Sequence, residues 1–137
     1  MRDKEPIIFE KIERLREELK YLKDNKEKFI KGLYRSTDIK KIVERSVYLC
    51  CEIVLDISDL LIVKKGFSKP LTYSEIIYKL GENKIVPEDF AHKFVYIAGL
   101  RNFLSHDYTK NTVGELEKFL RTGIKDVEKF LELIKGK

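Results

Sequence analysis

Several residue types and patterns are scarce in this sequence, and each absence excludes a class of protein. Tryptophan is absent, and 137 residues include two cysteines, two histidines and three prolines. This rules out a disulfide-rich secreted fold, and no second Cys or His pair stands at zinc-site spacing. No apolar run approaches the ~20 residues that a membrane-spanning helix needs. The N-terminus shows no signal-peptide pattern, so we expect a soluble cytoplasmic protein.

The two cysteines, Cys50 and Cys51, are neighbours in an apolar run. A disulfide between adjacent cysteines strains the peptide that joins them. We therefore expect both to be reduced, small side chains in a core.

The composition indicates one globular domain with a highly charged surface. Hydrophobic residues make up 43% and charged residues 37%, against the ~25% charged residues of an average protein. The formal net charge of +5 permits nucleic-acid binding without requiring it. Because the charges are interspersed along the chain, folding must create any positive patch. The abundance of Lys and Glu fits a heat-adapted source, as well as helical proteins in general.

Two long segments carry apolar residues at alternating three- and four-residue steps, which predicts amphipathic helices. The first is expected from about Pro6 to Leu33 and the last from Val113 onward. The side chains predicted to face inward are Ile8, Ile12, Leu15, Leu19, Leu22, Phe29 and Leu33 in the first helix, and Val113, Leu116, Phe119, Leu120, Ile124, Val127, Phe130, Leu131 and Ile134 in the last.

A segment from Ile39 to Val63 is apolar on most of its sides, which is typical of a central helix. Three acids interrupt it, Glu52, Asp56 and Asp59, and the first two share a face because they are four residues apart. Buried carboxylates need partners. Either a Lys or Arg of a neighbouring helix pairs with them, or one of them orients functional side chains elsewhere.

Local signals mark where the other helices begin and end. The expected starts are Ser36-Thr37-Asp38, the capping box Thr72–Glu75, Pro87 and a second capping box Thr112–Glu115. Gly66 and Gly81 are expected to end helices, the latter closing a short helix from Tyr73 to Leu80. Without period-two alternation, we predict an all-α fold. It is an up-and-down antiparallel four-helix bundle plus one short connecting helix, in a single domain over residues 1–137.

Polar side chains with possible catalytic roles are concentrated at the end of the fourth helix. With Arg101 set to zero at 100° per residue, Ser105 falls at about 40°, Asn102 at about 100° and His106 at about 140°. Arg101 and His106 can then converge on one anion, with Asn102 in hydrogen-bonding reach of either. The residues expected on the opposite, inward side are Tyr96, Ile97, Leu100, Phe103 and Leu104.

Arginine beside histidine favours a phosphate ligand. Arginine offers a bidentate fork to phosphate oxygens, and histidine exchanges protons near neutral pH. Together they suffice for RNA cleavage without a metal ion: His106 activates the ribose 2′-OH, and Arg101 stabilises the transition state. One of the acids of the second helix can orient this pair. With a single such histidine per chain, the group that makes the second proton transfer is not identified.

Small and apolar residues occupy the same arc one turn earlier, Phe94, Val95, Ala98 and Gly99. Small residues allow helices to approach closely, so we predict that this side meets a second subunit. Two sites then face each other across a dimer axis, and the partner supplies a second histidine.

Structural explanations of these residues are also open. A histidine at a helix end interacts favourably with the helix dipole. Arg101 can form a simple surface salt bridge with Asp107 or with an acid of the second helix. Tyr108 by itself is a packing residue, and His92, the other histidine, is expected on the surface.

The pattern Arg101-Asn102-(three residues)-His106-Asp107-Tyr108 resembles the Arg-x4-His-x-Tyr motif of HEPN-domain ribonucleases, in particular the HepT-like toxins. The resemblance extends over roughly residues 8–130. It includes Glu44-Arg45-Ser46 leading to Leu55–Leu61, which is similar to the family's second helix, and Pro70–Tyr73 before a short helix.

This resemblance implies a homodimeric, metal-independent endoribonuclease that needs no cofactor and acts as the toxin of a toxin–antitoxin pair. It implies catalysis by Arg101 and His106 with support from Asn102, and we expect Arg101 and Ser105 to contact RNA. Tyr108 corresponds to the tyrosine that an antitoxin, a nucleotidyltransferase of the MntA type, modifies with AMP. Transfer RNA is the family's suggested substrate. The alternatives are a non-catalytic HEPN module that binds nucleotide or nucleic acid beside a nucleotidyltransferase, and a structural four-helix adaptor.

Overall fold

The computed structural model describes residues 5–106 and 111–137, with the backbone alone for His106. Within these ranges the chain forms helices and no strand. They are α1 (Glu5–Asp24), α2 (Lys26–Gly32), α3 (Thr37–Lys64), α4 (Tyr73–Glu82), α5 (Glu88–Phe94), α6 (Tyr96–His106), α7 (Val113–Lys118), a π-helical segment (Phe119–Gly123) and α8 (Ile124–Leu133). Four rods result, α1–α2, α3, α5–α6 and α7–α8, with α4 as the short connecting helix. The predicted all-α fold is confirmed.

The longest helix, α3, lies at the centre and packs against α1, α4 and α6. Its apolar residues are buried on most sides, as a helix surrounded by neighbours requires. Cys50 and Cys51 are free and buried within it, and burial raises the pKa of both thiols. The prediction of two reduced core cysteines is confirmed.

Both predicted amphipathic faces are buried, with one exception. All nine inward residues of the last helix lie in the core, and so do those of the first helix except the half-buried Ile12. The first helix is not continuous, because Asn25 separates α1 from α2 and its Nδ2 donates a hydrogen bond to the Tyr21 carbonyl at 2.9 Å. The apolar stripe is interrupted at the next residue, Lys26.

Two of the predicted helix ends have the expected chemistry. The Ser36 hydroxyl accepts a hydrogen bond from the Ile39 amide at 3.1 Å and caps α3. At the other end Gly66 has a φ of 81°, the left-handed conformation that ends a helix without steric cost. The amides of Gly66 and Phe67 return to carbonyls of the last turn at 3.0 and 3.1 Å, which satisfies them.

Gly81 does not end α4, which continues to Glu82. The glycine instead lies at a contact between helices: a Cβ there would stand 2.8 Å from the Ala91 Cβ and 3.2 Å from the Glu88 Cα. The absence of a side chain lets α4 and α5 approach. The prediction that Gly81 ends this helix is therefore wrong. In a sequence, a glycine that is needed for close packing cannot be distinguished from one that ends a helix.

The capping boxes form only in part. At α4, Thr72 Oγ1 accepts from the Glu75 amide at 3.1 Å, but Glu75 accepts from the Leu71 amide, one residue before the expected partner. At α7, Thr112 makes no cap. Its hydroxyl donates to Glu44 Oε2 at 2.6 Å, and Asn111 Oδ1 accepts from the Val113 amide. Thr112 does not cap α7 because its hydroxyl is hydrogen-bonded to a carboxylate of α3 instead.

A π-helical segment that the sequence pattern did not predict interrupts the last rod at Phe119–Gly123. A Cβ on Gly123 would lie 2.5 Å from the Phe119 ring, so the glycine makes room for that side chain. The Thr122 hydroxyl donates to the Lys118 carbonyl at 3.0 Å. Phe119 and Leu120, the first two residues of this segment, are both buried.

Candidate active site at the end of α6

Arg101 lies on the face of α6 that is packed against α3 and α4. Ile97 and Ala98 precede it on α6 and are buried, as is Phe94 at the end of α5, and the Arg101 side chain is itself only 15% exposed. The inward side predicted from the helical projection is therefore rotated: Ile97 and Leu100 are buried as predicted, whereas Tyr96 is exposed. A projection gives angles between side chains, but which side meets neighbouring helices depends on the whole bundle.

A carboxylate of α3 fixes one edge of the Arg101 guanidinium. Its Nε donates to Glu52 Oε1 at 3.3 Å and its Nη2 donates to Glu52 Oε2 at 3.4 Å. The pair is bidentate and largely buried, with the Glu52 side chain 26% exposed. Glu52 is thus the acid of the second helix that orients Arg101, one of the two possibilities that the sequence left open.

Two tyrosines complete the surroundings of this guanidinium. The Tyr48 hydroxyl donates to Glu52 Oε2 at 2.5 Å and accepts from Arg101 Nη2 at 3.4 Å. The Tyr73 ring, at the start of α4, lies 4.5 Å from the Arg101 Cζ in a cation–π contact. Sequence reasoning missed both tyrosines. Tyr48 could have been found, since it stands one turn before Glu52 on the same helix face, but Tyr73 is brought in only by the packing of α4.

The remaining nitrogen of Arg101 is directed towards the polar residues of its own helix. Nη1 donates to Ser105 Oγ at 3.3 Å and to Asn102 Oδ1 at 3.4 Å. These contacts are long and near the surface, and Asn102 is exposed. A bound anion can replace them without disturbing the Glu52 edge. The structure therefore brings together Arg101, Asn102 and Ser105, as the sequence predicted.

Ionisation at this site follows from the same contacts. Burial raises the pKa of Glu52, but the hydrogen bonds from Tyr48 and Arg101 outweigh it, so that this pKa lies below its usual range. Burial likewise opposes the charge on Arg101, yet its hydrogen bonds with Glu52 raise its pKa overall. The hydrogen bond to Glu52 raises the pKa of Tyr48. Arg101 and Glu52 are both charged at neutral pH, and Tyr48 stays a neutral donor.

His106 is the last residue of α6, five positions after Arg101 on the same helix. Its side chain lies outside the part of the molecule that the structure describes, and so do Asp107 and Tyr108. His92, by contrast, is exposed on α5, as expected, and its ring lies 5.1 Å from that of Tyr78.

The other two acids of α3 do not contact Arg101. Asp56 is only half-buried and pairs with Lys11 of α1 at 3.3 Å, which is the simpler of the two explanations that the sequence left open for these acids. One oxygen of Asp59 is buried without a hydrogen-bond partner in the described residues.

The predicted subunit contact face needs correction. Ala98 and Phe94 are buried in this chain's own core: α6, which carries Ala98, packs against α3, and the Phe94 ring stacks on Phe130 of α8. Gly99 is exposed and lines a cavity of about 360 Å³ between α6 and the π segment, with Phe103 and Phe119. This cavity lies on the other side of α6 from Arg101 and does not include it.

Among residues 5–106 and 111–137, no three His, Cys, Asp or Glu side chains are grouped so that they could hold a metal ion. No helix in the same ranges is long and apolar enough to span a bilayer.

Comparison with known proteins gives consistent matches. A model of the family described as "Ribonuclease HepT-like" matches residues 8–134. A "tRNA nuclease HepT" of Aphanizomenon flos-aquae is 30% identical over 105 residues, which cover 76% of this chain and 71% of that protein. An "mRNA nuclease HepT" of Shewanella oneidensis is 23% identical over 87 residues, 64% of this chain and 65% of that protein.

Solved structures share the fold. The tri-AMPylated HEPN toxin of Shewanella oneidensis, in complex with its MNT antitoxin, superposes with a TM-score of 0.85 over 100% of both chains at 20% identity. At that identity the similarity establishes the helical architecture, and it confirms the HEPN-like fold expected from the motif.

Proposed function

The chain belongs to the HepT-like ribonuclease family, and from that premise we propose that it is an RNA-cleaving endoribonuclease, the toxin of a toxin–antitoxin pair. One observation carries the proposal. Glu52 holds two nitrogens of Arg101, and the third is directed towards Ser105 and Asn102 near the surface, on the helix that ends in His106. An arginine held by a carboxylate, five residues before a histidine on one helix, can stabilise a phosphate while the histidine transfers protons.

In the proposed reaction, His106 takes the proton of a ribose 2′-OH, and the 2′-oxygen attacks the adjacent phosphorus. The bond from phosphorus to the 5′-oxygen breaks, which leaves a 2′,3′-cyclic phosphate and a 5′-hydroxyl. A second histidinium, supplied by another copy of the chain, gives its proton to the departing 5′-oxygen. Arg101 stabilises the charge that develops on the phosphate, Asn102 supports it, and Ser105 contacts the RNA. These steps need no metal ion and no cofactor.

The two histidines of the chain provide the test. We expect His106→Ala to lower RNA cleavage by about 100-fold or more, because proton transfer is lost. His92→Ala is the matched control and keeps the activity, since His92 is exposed on α5 and its ring lies beside that of Tyr78 on α4. Cleavage of a labelled transfer RNA is measured in EDTA, with helix content followed by circular dichroism. Undiminished cleavage by His106→Ala contradicts the mechanism, and RNA binding without cleavage by the parent protein supports the non-catalytic alternative.

We propose that the partner is a nucleotidyltransferase antitoxin of the MntA type, which transfers AMP to Tyr108. An AMP group two residues from His106 is bulky and anionic, so it competes with RNA phosphates. The AMPylated toxin of Shewanella oneidensis supports this idea. Mass spectrometry after incubation with ATP and such an antitoxin is expected to find AMP on the parent chain and not on Tyr108→Phe. An adduct that persists in the variant overturns the assignment.

We further propose that the protein is a cytoplasmic homodimer in which two sites face each other. The exposed Gly99 precedes His106 by seven residues, so the two positions lie on nearly the same side of α6, and a glycine there allows close approach of a second helix. Light scattering at micromolar concentration is expected to give twice the monomer mass. A monomer at that concentration contradicts the dimer and leaves the second proton transfer without its donor.

A further inference from the structure

One face of α3 carries a row of residues that runs past Arg101. We call Lys41, Arg45, Tyr48 and Glu52 the α3 stripe; they are spaced by four, three and four residues and therefore share a face. Tyr48 and Glu52 hold Arg101. The other half of the stripe, Lys41 and Arg45, is exposed and makes no ion pair within the described ranges. Nothing in the proposed mechanism uses these two cations.

Arg45 and Arg101 meet at the same aromatic ring. The Arg45 Cζ lies 5.8 Å from the centroid of Tyr48, and the Arg101 Cζ lies 5.6 Å from it. The two guanidinium carbons are therefore within about 12 Å of each other, although they come from different helices. A positive surface thus leads from Lys41 along α3 to the guanidinium of the candidate active site.

Within the described residues, the acids nearby form no ion pair with this half of the stripe. Glu52 is bonded to Arg101 and Tyr48. Glu44, which precedes Arg45, accepts the hydrogen bond of Thr112 at 2.6 Å. Two like charges four residues apart on a helix repel each other, so Lys41 and Arg45 do not serve helix stability. Cations in a row beside an aromatic side chain are typical of a surface that follows a nucleic-acid backbone.

We propose that Arg45, followed by Lys41, binds the RNA phosphates next to the one held at Arg101. The α3 stripe then sets the direction in which a single strand crosses the site. This inference rests on the proposed ribonuclease function and adds the substrate class, a strand several nucleotides long that is recognised through its backbone. Base identity plays no part in these contacts, because guanidinium and ammonium groups bind phosphates of any sequence.

The test measures binding of a 2′-O-methylated RNA dodecamer, which has no 2′-OH to be cleaved, by fluorescence anisotropy between 50 and 300 mM KCl. Arg45→Ala is expected to weaken binding several-fold and to reduce the slope of log K against log salt by about 0.7, the value for one phosphate contact on a single strand. In the double variant Lys41→Ala/Arg45→Ala, this slope is expected to fall by about 1.4, the value for two phosphate contacts. Arg45→Lys keeps the charge and most of the slope.

Arg16→Ala is the matched control, because Arg16 is an exposed arginine of α1 on the side that faces α8. It is expected to bind as the parent does. In cleavage assays with unmodified RNA, Arg45→Ala is expected to raise KM and to leave kcat within about twofold, since it touches no reacting atom.

The outcomes separate this inference from the proposed function. If the parent protein neither binds nor cleaves RNA, the ribonuclease function fails and the inference fails with it. If the parent cleaves RNA while Arg45→Ala matches Arg16→Ala in both slope and KM, only the inference is overturned. The inference alone is also overturned if Arg45→Ala weakens binding of a protein partner and leaves RNA binding unchanged.

Discussion

Replacing Glu52 by glutamine tests the architecture of the candidate site most directly. The glutamine has nearly the same shape but one acceptor oxygen in place of two. In the parent, Glu52 accepts from two nitrogens of Arg101 and from the Tyr48 hydroxyl. In Glu52→Gln one of these donors faces an amide NH₂ group, and a largely buried Arg101 loses its counter-charge.

The expected loss of stability is about 2 kcal/mol at neutral pH. A hydrogen bond to a charged group contributes about 1.5–3 kcal/mol, and breaking a fully buried ion pair costs about 3–5 kcal/mol. The lower range applies, because the two side chains are 15% and 26% exposed and the bonds are 3.3 and 3.4 Å long. For a domain of this size, 2 kcal/mol corresponds to a fall in Tm of about 6–10 °C.

The pH dependence of this loss identifies its cause. The pKa of Glu52 is lower in the folded protein than the value of about 4.3 in an unfolded chain. Its contribution is therefore fully present above the unfolded pKa and is lost as pH falls through the folded pKa. Urea unfolding should give a constant difference between parent and variant from pH 8 to about 5.5, and a shrinking one below about pH 4.5.

A second triad of the same residue types provides the control. Glu117 accepts from the Tyr34 hydroxyl at 2.6 Å and from Arg121 Nε at 2.7 Å; its side chain is about as exposed as that of Glu52, but its partners Tyr34 and Arg121 are 66% and 55% exposed. Glu117→Gln is expected to change neither cleavage nor, measurably, Tm, because solvent screens exposed pairs. For Glu52→Gln we expect kcat to fall about 10- to 100-fold with the orientation of Arg101. A variant as stable as the parent at pH 7, or a loss of stability that is equal at pH 4 and pH 7, would refute the reasoning.

Three further predictions concern the scaffold around the site. Gly81→Ala should lower the free energy of unfolding by about 1–3 kcal/mol, because the added methyl group would lie 2.8 Å from Ala91 of α5. Gly114→Ala, where the methyl group would have no atom within 4 Å, should raise it by about 0.5–1 kcal/mol. Urea titration of both variants measures the difference. Ser36→Ala removes the α3 cap and should cost about 1 kcal/mol by the same method. Tyr73→Leu removes the ring under Arg101 and should reduce stability by about 1 kcal/mol and also slow RNA cleavage, while Tyr73→Phe keeps both; equal behaviour of the two variants contradicts a role for the ring.

The sequence was sufficient for the helices and, in the first and last of them, for the faces they bury. Helical periodicity is a local property, and all nine side chains predicted to face inward from the last helix are in the core. Caps that depend on neighbouring residues, such as Ser36 and Gly66, were also correctly predicted. Where a signal could serve tertiary packing instead, the prediction was wrong: Gly81 makes room for α5, and Thr112 bonds to Glu44 rather than capping α7.

For the site, the sequence determined which residue types stand together on one helix, from Arg101 to Ser105, and the motif that identifies the family. It could not determine which way Arg101 points, since the projection placed it on a polar arc and the bundle turns it towards α3. The choice of Glu52 over Asp56 as its partner, and the arrival of Tyr73 from α4, are likewise decided only by tertiary structure. The physical reason is that helical spacing fixes angles within one helix, whereas the partners of a buried charge come from the helices packed around it.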